Sequence, residues 1–461
     1  MAELIVDNPY TLEECARFPY ADEGAINRTL DAALAAARRQ AKTKLAERIA
    51  LCERAVAEME AAADSIAADI TRMMGKPLRQ ARNEVAGMAK RARYMCSIAE
   101  ASLSDIVLPE LPGFQRRIVR APLGVVFSLP AWNYPLLTAV NVLIPAILAG
   151  NSLVLKHSPR SPLCGEHFAN AFVRAGAPSD LVQAIMMDYA ASEAVAADPR
   201  VNFVAFTGSV FGGHRIYASA ASKHFSDVGL ELGGKDAAYV AEDADLEKAI
   251  DGIVDGACYN AGQSCCAVER AYVHRRHYDR FVEGALELIK SYRIGDPLDA
   301  NTNLGPMAQP WQPAFLEAQV KQATADGARV LHGGKATQDN GRGRFFEATL
   351  IVDTKASHDI MRIESFGPIL PVVPVDSDEE ALARINDSEL GLTASIWTRD
   401  RDRAARMAAS IETGTVYMNQ CDTLDPALPW TGVKDSGKGS TLSALGFGHL
   451  TRPKSINFKL P

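Results

Sequence analysis

From Gly124 onward, short apolar runs alternate with stretches of helical periodicity, and this alternation restricts the fold more than any other feature. Residues 125–129, 153–156 and 204–206 read as strands, and 136–148, 165–175 and 211–222 as the helices that follow them. A second series starts after Gly234, with strands at 237–240 and 271–274 and helices at 249–259 and 278–292. Parallel strands need crossover connections, and an intervening helix supplies one. The expected class is therefore α/β, with parallel sheets covered by helices. A chain of 461 residues is too long for one compact core. The restart after Gly234 places a domain boundary near 232–235.

The flanks add detail. Residues 25–100 are rich in Ala, Glu, Arg, Leu and Met and read as helix almost throughout, with a break at Gly75-Lys76-Pro77. Residues 116–120 form a short β-like segment ended by Pro122. Residues 297–309 and 333–343 read as polar surface loops. The tail alternates Ile456, Phe458 and Leu460, which predicts a strand with an exposed edge able to pair with a second subunit. The most apolar stretch, 135–150, is interrupted by Asn141 and Pro145 and is too short for a bilayer, so a buried helix is expected. Residues 1–20 carry Glu3, Asp7, Glu13 and Glu14 and no apolar signal core.

A net charge of −7 gives no basic footprint for nucleic acid. The eight cysteines are scattered, which points to reduced thiols in a cytoplasm instead of a disulfide framework. None has metal-site spacing with nearby histidines, and the vicinal pair Cys265-Cys266 is poor geometry for one zinc. No metal is expected.

Three segments carry chemistry. Residues 260–267, Asn-Ala-Gly-Gln-Ser-Cys-Cys-Ala, set a thiol after a glycine that permits a tight turn. A cysteine alone is more often a small buried hydrophobe than a nucleophile. Residues 229–235, Gly-Leu-Glu-Leu-Gly-Gly-Lys, set a carboxylate among apolar neighbours, where burial raises its pKa toward that of a general base. A salt-bridged glutamate is the plainer reading. In residues 130–135, Pro-Ala-Trp-Asn-Tyr-Pro, the Asn133 amide between strand and helix suits either an oxyanion donor or a helix N-cap.

Together these segments resemble the aldehyde dehydrogenase superfamily. Gly262 through Ala267 match its Gly-Gln-x-Cys-x-Ala motif, and Glu231 through Lys235 its Glu-Leu-Gly-Gly-Lys motif, at the family's usual separation. Trp132 to Pro135 resemble its Trp-Asn-Phe-Pro segment, with Tyr134 in place of Phe. The likeness continues through Glu364-Ser365-Phe366-Gly367-Pro368 and residues 429–437, and so covers nearly the whole chain. Six motifs in the right order are a specific signal; any one alone is weak.

The resemblance implies a mechanism. Cys265 attacks the aldehyde, and Asn133 with the Cys265 backbone N–H stabilises the oxyanion, each such donor being worth about 3–4 kcal/mol. Hydride passes to the nicotinamide, and Glu231 activates water to hydrolyse the thioester left on Cys265. It also implies cofactor contacts at Trp132, Lys156, Ser158, Gly208, Ser209, Gly213, Leu232, Glu364 and Phe366, with Gly208 and Ser209 opening a helix whose N-terminus favours phosphate. Many NAD-preferring members carry a glutamate where this chain has Pro159. Its absence removes repulsion against a 2′-phosphate, and Ser158 or Arg160 is a candidate contact for that group. NADP is thus expected to be tolerated, even preferred. Ala131 and Thr431 are further departures, and the change at Thr431 has no evident rationale.

In this family the helix after the Trp-Asn motif lines the substrate entrance. Tyr134, Thr138 and Asn141 fall on one face at i, i+4 and i+7, so a hydroxylated or otherwise polar aldehyde is expected. Asn141 bonding a neighbouring loop is the alternative. Cys266, and Trp430 with Asp422 and Asp425 in the 421–430 loop, are further wall candidates. No arginine clamp is readable on that helix, which argues against an aldehyde bearing a carboxylate unless loops elsewhere supply one.

The implied fold has a Rossmann-like NAD(P)-binding domain (1–233, with 108–122 joining a bridging β segment), an α/β catalytic domain (234–435), and a return segment and oligomerisation strand (436–461). Homodimers or homotetramers are expected. Two alternatives remain: an acylating enzyme that passes the thioester to coenzyme A, against which Glu231 argues, and a non-catalytic protein of the same fold.

Overall fold

The computed structural model describes residues 2–461. A six-stranded sheet runs in the order Gly437–Lys438, Asp227–Glu231, Val201–Thr207, Val125–Leu129, Ser152–Leu155, Val182–Ala184. Its strands are parallel except Gly437–Lys438, which returns antiparallel beside Asp227–Glu231. The central strands are apolar and buried on both faces, as parallel strands must be when helices cover both sides. Val126, Leu153, Leu155 and Phe203 face a core shared with helices Leu45–Ala61, Leu78–Leu103, Pro135–Leu148 and Pro162–Arg174. Val125, Phe127, Val154 and Val204 point the other way, onto helices Glu23–Gln40, Tyr189–Ala196 and Val210–Ala220.

A seven-stranded sheet follows, in the order Arg329–His332, Thr349–Val352, Ile369–Val375, Val268–His274, Asp236–Val240, Thr393–Trp397, Thr415–Met418. Only Arg329–His332 is antiparallel to its neighbour. The chain crosses from one sheet to the other between Glu231 and Asp236. A ribbon of Thr451–Lys459, Phe114–Pro122 and Ile106–Val107 forms the third sheet, with Thr451–Lys459 at its edge and Phe458 and Leu460 exposed. Asp7 ties distant parts together: its carboxylate accepts from Arg160 and, at 2.6 Å, from Arg344.

The helix Pro135–Leu148 is buried along almost its whole length. Burying each Leu or Ile contributes about 1.5–3 kcal/mol, which fixes the position of Asn133 just before it. No helix of the described residues is long and apolar enough to cross a membrane.

The structure departs from the sequence expectations in three places. The 25–100 region is four helices, because the chain also breaks at residues 41–44 and at Ala62, in addition to the left-handed Gly75. Residues 333–343 are no loop: Ala336–Asp339 and Arg342–Phe346 form a hairpin. Asn340 and Gly341 both take positive φ at its turn, the chemistry that an Asn-Gly pair supplies. The N-terminus adds a hairpin of Glu3–Asp7 and Glu14–Pro19.

Candidate active site

The site lies where the C-terminal ends of strands of the six-stranded sheet, the usual ligand position in α/β folds, meet the loops that lead into strands Val268–His274 and Ile369–Val375 of the other sheet. Cys265 sits on a loop that leaves helix Leu246–Cys258 through three consecutive left-handed residues, Asn260, Ala261 and Gly262. Gly262 has no alternative, since a Cβ there would collide with the backbone of Gly367. The loop is stitched by amides: Asn260 Nδ2 donates to the carbonyls of Asn133 (3.2 Å) and Gln263 (3.0 Å). Gln263 Nε2 returns a bond to the Asn260 carbonyl, and its Oε1 accepts from Ala308 N–H at 2.8 Å. Asn133 Nδ2 donates to the Gln263 carbonyl at 3.2 Å, leaving its second N–H free of that bond. The backbone carbonyl of Asn133 also accepts from Lys76 Nζ, which forms a buried ion pair with Glu84 and lies 3.8 Å from the Tyr134 ring centre.

Glu231 ends its strand facing the same cavity. Thr441 Oγ1 donates to its Oε1, and Thr207 Oγ1 lies 3.5 Å from its Oε2. Burial pushes its pKa above the ordinary carboxylate range; the two hydroxyls and the Arg91 charge oppose that shift without cancelling it. The glycines that follow are steric necessities: a Cβ on Gly233 would meet the Glu364 carboxylate, and one on Gly234 the Cys265 carbonyl. Lys235 is buried, 2.5 Å from Glu269, whose carboxylate also accepts the N–H groups of Ser365 and Phe366 at 2.8 Å. This pair anchors the segment that presents Glu364 and Phe366. Glu364 accepts Gly234 N–H at 2.9 Å, and burial, reinforced by Glu269, raises its pKa to about 8. Phe366 packs edge-on against Trp132 at 5.4 Å.

A cavity of about 610 Å³ holds Cys265, Glu231 and Asn133 together with Tyr134, Thr138, Asn141, Cys266 and Trp430. Cys266 donates to Asp422 at 2.8 Å, and burial raises Asp422 to about 7. Asp425 is not part of this wall; it caps Ala427 N–H instead. Thr138 Oγ1 bonds back to the Tyr134 carbonyl at 3.0 Å. Asn141 does not bond a loop: its Oδ1 accepts from Arg91 at 3.1 Å. The arginine missing from the tunnel helix therefore enters from the helix Leu78–Leu103. Its sequence signal is a polar stripe, Gln80, Glu84 and Arg91, at helical spacing within an otherwise buried face. Thr441, contributed by the return segment, had no local signal.

The remaining predicted residues gather at the ends of the six-stranded sheet. Ser209 caps helix Val210–Ala220 through Gly212 N–H at 3.1 Å. A Cβ on Gly208 would strike Phe206, and one on Gly213 would strike Leu232, so backbone and helix end are kept open and close. Lys156 is buried, its pKa lowered to about 8 by desolvation, with no hydrogen-bond acceptor among the described residues. An unspent ammonium, an open helix N-terminus and a half-buried Glu364 fit a dinucleotide, whose ribose hydroxyls and phosphates need such partners. Ser158 Oγ faces Arg160 N–H at 3.4 Å. Arg160 is not free for a 2′-phosphate, because its guanidinium is spent on Asp7 and on the carbonyls of Asp7 and Met73.

The profile of the Aldehyde dehydrogenase family matches residues 2–456. An aldehyde dehydrogenase of Paenarthrobacter nicotinovorans is 36% identical over 92% of this chain and 92% of its own length. A succinate-semialdehyde dehydrogenase [NADP(+)] of Deinococcus radiodurans is 34% identical over 97% of this chain and 93% of its own. The crystal structure of an NAD-dependent aldehyde dehydrogenase from Sinorhizobium meliloti superposes with a TM-score of 0.96 at 30% identity, covering 100% of this chain and 92% of that one. The chain belongs to the aldehyde dehydrogenase family and is an NAD(P)-dependent oxidoreductase that converts an aldehyde to a carboxylic acid.

Proposed function

We propose that Cys265 is the nucleophile and Glu231 the hydrolytic base of this oxidation. The observation that carries the reading is the pairing within one cavity of a half-buried thiol and a half-buried carboxyl held by hydroxyls alone. Cys265 Sγ adds to the aldehyde carbon. The Asn133 amide and the Cys265 N–H stabilise the resulting oxyanion. A dinucleotide, when bound, would supply the two-electron acceptor. Glu231 then takes a proton from water as that water attacks the Cys265 thioester, and the thiol and the acid are released. Hydrolysis is favoured over transfer to coenzyme A because Glu231 is present and its raised pKa suits a base.

Trp132, Lys156, Ser158, Gly208, Ser209, Gly213, Leu232, Glu364 and Phe366 hold the dinucleotide on this reading. Residues 1–233 form its domain, 234–435 the catalytic domain, and 436–461 the return and oligomerisation segment. NADP is accepted, because Pro159 puts no carboxylate against a 2′-phosphate; the support is that absence, since Arg160 is engaged elsewhere. The exposed edge of Thr451–Lys459 supports a homodimer or homotetramer, and eight free thiols support a cytoplasmic setting. An aldehyde panel with each cofactor, read as nicotinamide reduction, tests the reading. Comparable kcat/KM for NAD and NADP is expected, and a hundredfold preference for NAD would overturn the cofactor assignment.

A further inference from the structure

We propose that this cavity selects aldehydes carrying a second, anionic group, with Arg91 as the counter-ion. The proposal rests on the aldehyde-oxidation reading above and names its substrate class. Arg91 lies in the cavity wall beside the nucleophile. Its one side-chain partner is the neutral Asn141 amide, and no carboxylate among the described residues comes within ion-pair distance. A guanidinium carries five N–H donors, and cations taken out of water are normally paired.

Two other buried cations are paired, Lys76 with Glu84 and Lys235 with Glu269, whereas the unpaired ammonium of Lys156 lies among the residues assigned to the dinucleotide. The acids nearest in the cavity are committed elsewhere, Glu231 to Thr441 and Asp422 to the Cys266 thiol. Two polar groups of the tunnel helix are already engaged: Thr138 Oγ1 bonds the Tyr134 carbonyl and Asn141 Oδ1 accepts from Arg91. Arg91 is thus the strongest unspent donor, and Tyr134, Leu137 and Trp430 supply apolar wall for the intervening carbons. A carboxylate offers the bidentate match that a guanidinium prefers.

The test compares an ω-carboxylated straight-chain aldehyde with its methyl ester, in wild type and in Arg91→Met. Assays are run above the acidic limb of every variant, so that a shifted Glu231 titration does not enter. Wild type should prefer the carboxylate. Arg91→Met should lose about 10–100-fold in kcat/KM on the carboxylate, mainly through KM, and far less on the ester. Arg91→Lys, which keeps the charge but not the fork, should recover part of the loss and decides the matter if the methionine variant does not fold. Equal losses on both substrates, or a wild-type preference for the ester, would overturn the proposal. Absence of nicotinamide reduction with every aldehyde would overturn the underlying reading and this one with it.

Discussion

Glu231 and Glu269 stand on either side of the crossover between the two sheets, the first half-buried and the second buried, and they are treated in opposite ways. Glu269 receives an ammonium at 2.5 Å and two backbone N–H groups, so its carboxylate is held in place from three sides. Glu231 receives only hydroxyls, and burial raises its pKa. The first glutamate is a fastener that sets the Glu364–Phe366 segment. The second keeps the freedom to gain and lose a proton. Burial alone does not distinguish a base from a strut; the partner does.

Removing the proposed nucleophile leaves both glutamates as they are. Cys265→Ala should lower turnover by about 10⁴-fold or more, with thermal unfolding close to wild type. A large fall in melting temperature would show that the loop, not the thiol, had been tested. Breaking the fastener should do the reverse. Lys235→Met leaves a buried carboxylate unpaired and should cost roughly 3–5 kcal/mol of stability in denaturant unfolding. A stability change within error would mean that Glu269 needs only its backbone donors.

The smallest expected effect lies at Thr441. Its hydroxyl favours the ionised form of Glu231, so Thr441→Val should raise the Glu231 pKa further. On the proposed reading Glu231 works as a base when ionised, and activity is lost as pH falls through its pKa. The acidic limb of the kcat–pH profile should therefore lie above the ordinary carboxylate range in wild type and move higher still in the variant. A limb that stays put would sever Thr441 from the base.

Much of this site was legible in the chain because its parts sit at the ends of regular elements. Glu231 closes a strand, Asn133 precedes a buried helix, and Cys265 follows a glycine turn, so alternation and turn chemistry placed each segment, and the family resemblance of their motifs singled out the residues. Arg91 was not legible, since a helix in the 25–100 region reveals its own polar stripe but not the distant cavity that the stripe faces. Thr441 enters by tertiary return, a strand reversal of two residues that no local pattern announces. Arg160 failed in the opposite direction: local spacing put it near the cofactor, and an ion pair with Asp7, far away in sequence, took it. The 333–343 hairpin was readable from Asn340-Gly341 and was lost to the polarity around it.

The role given to Glu231 can be isolated in one experiment. In rapid mixing of Glu231→Gln with aldehyde and excess cofactor, a burst of reduced nicotinamide near one equivalent per active site is predicted, followed by steady turnover reduced about 10²–10⁴-fold. Steady turnover equal to that of wild type would contradict the account.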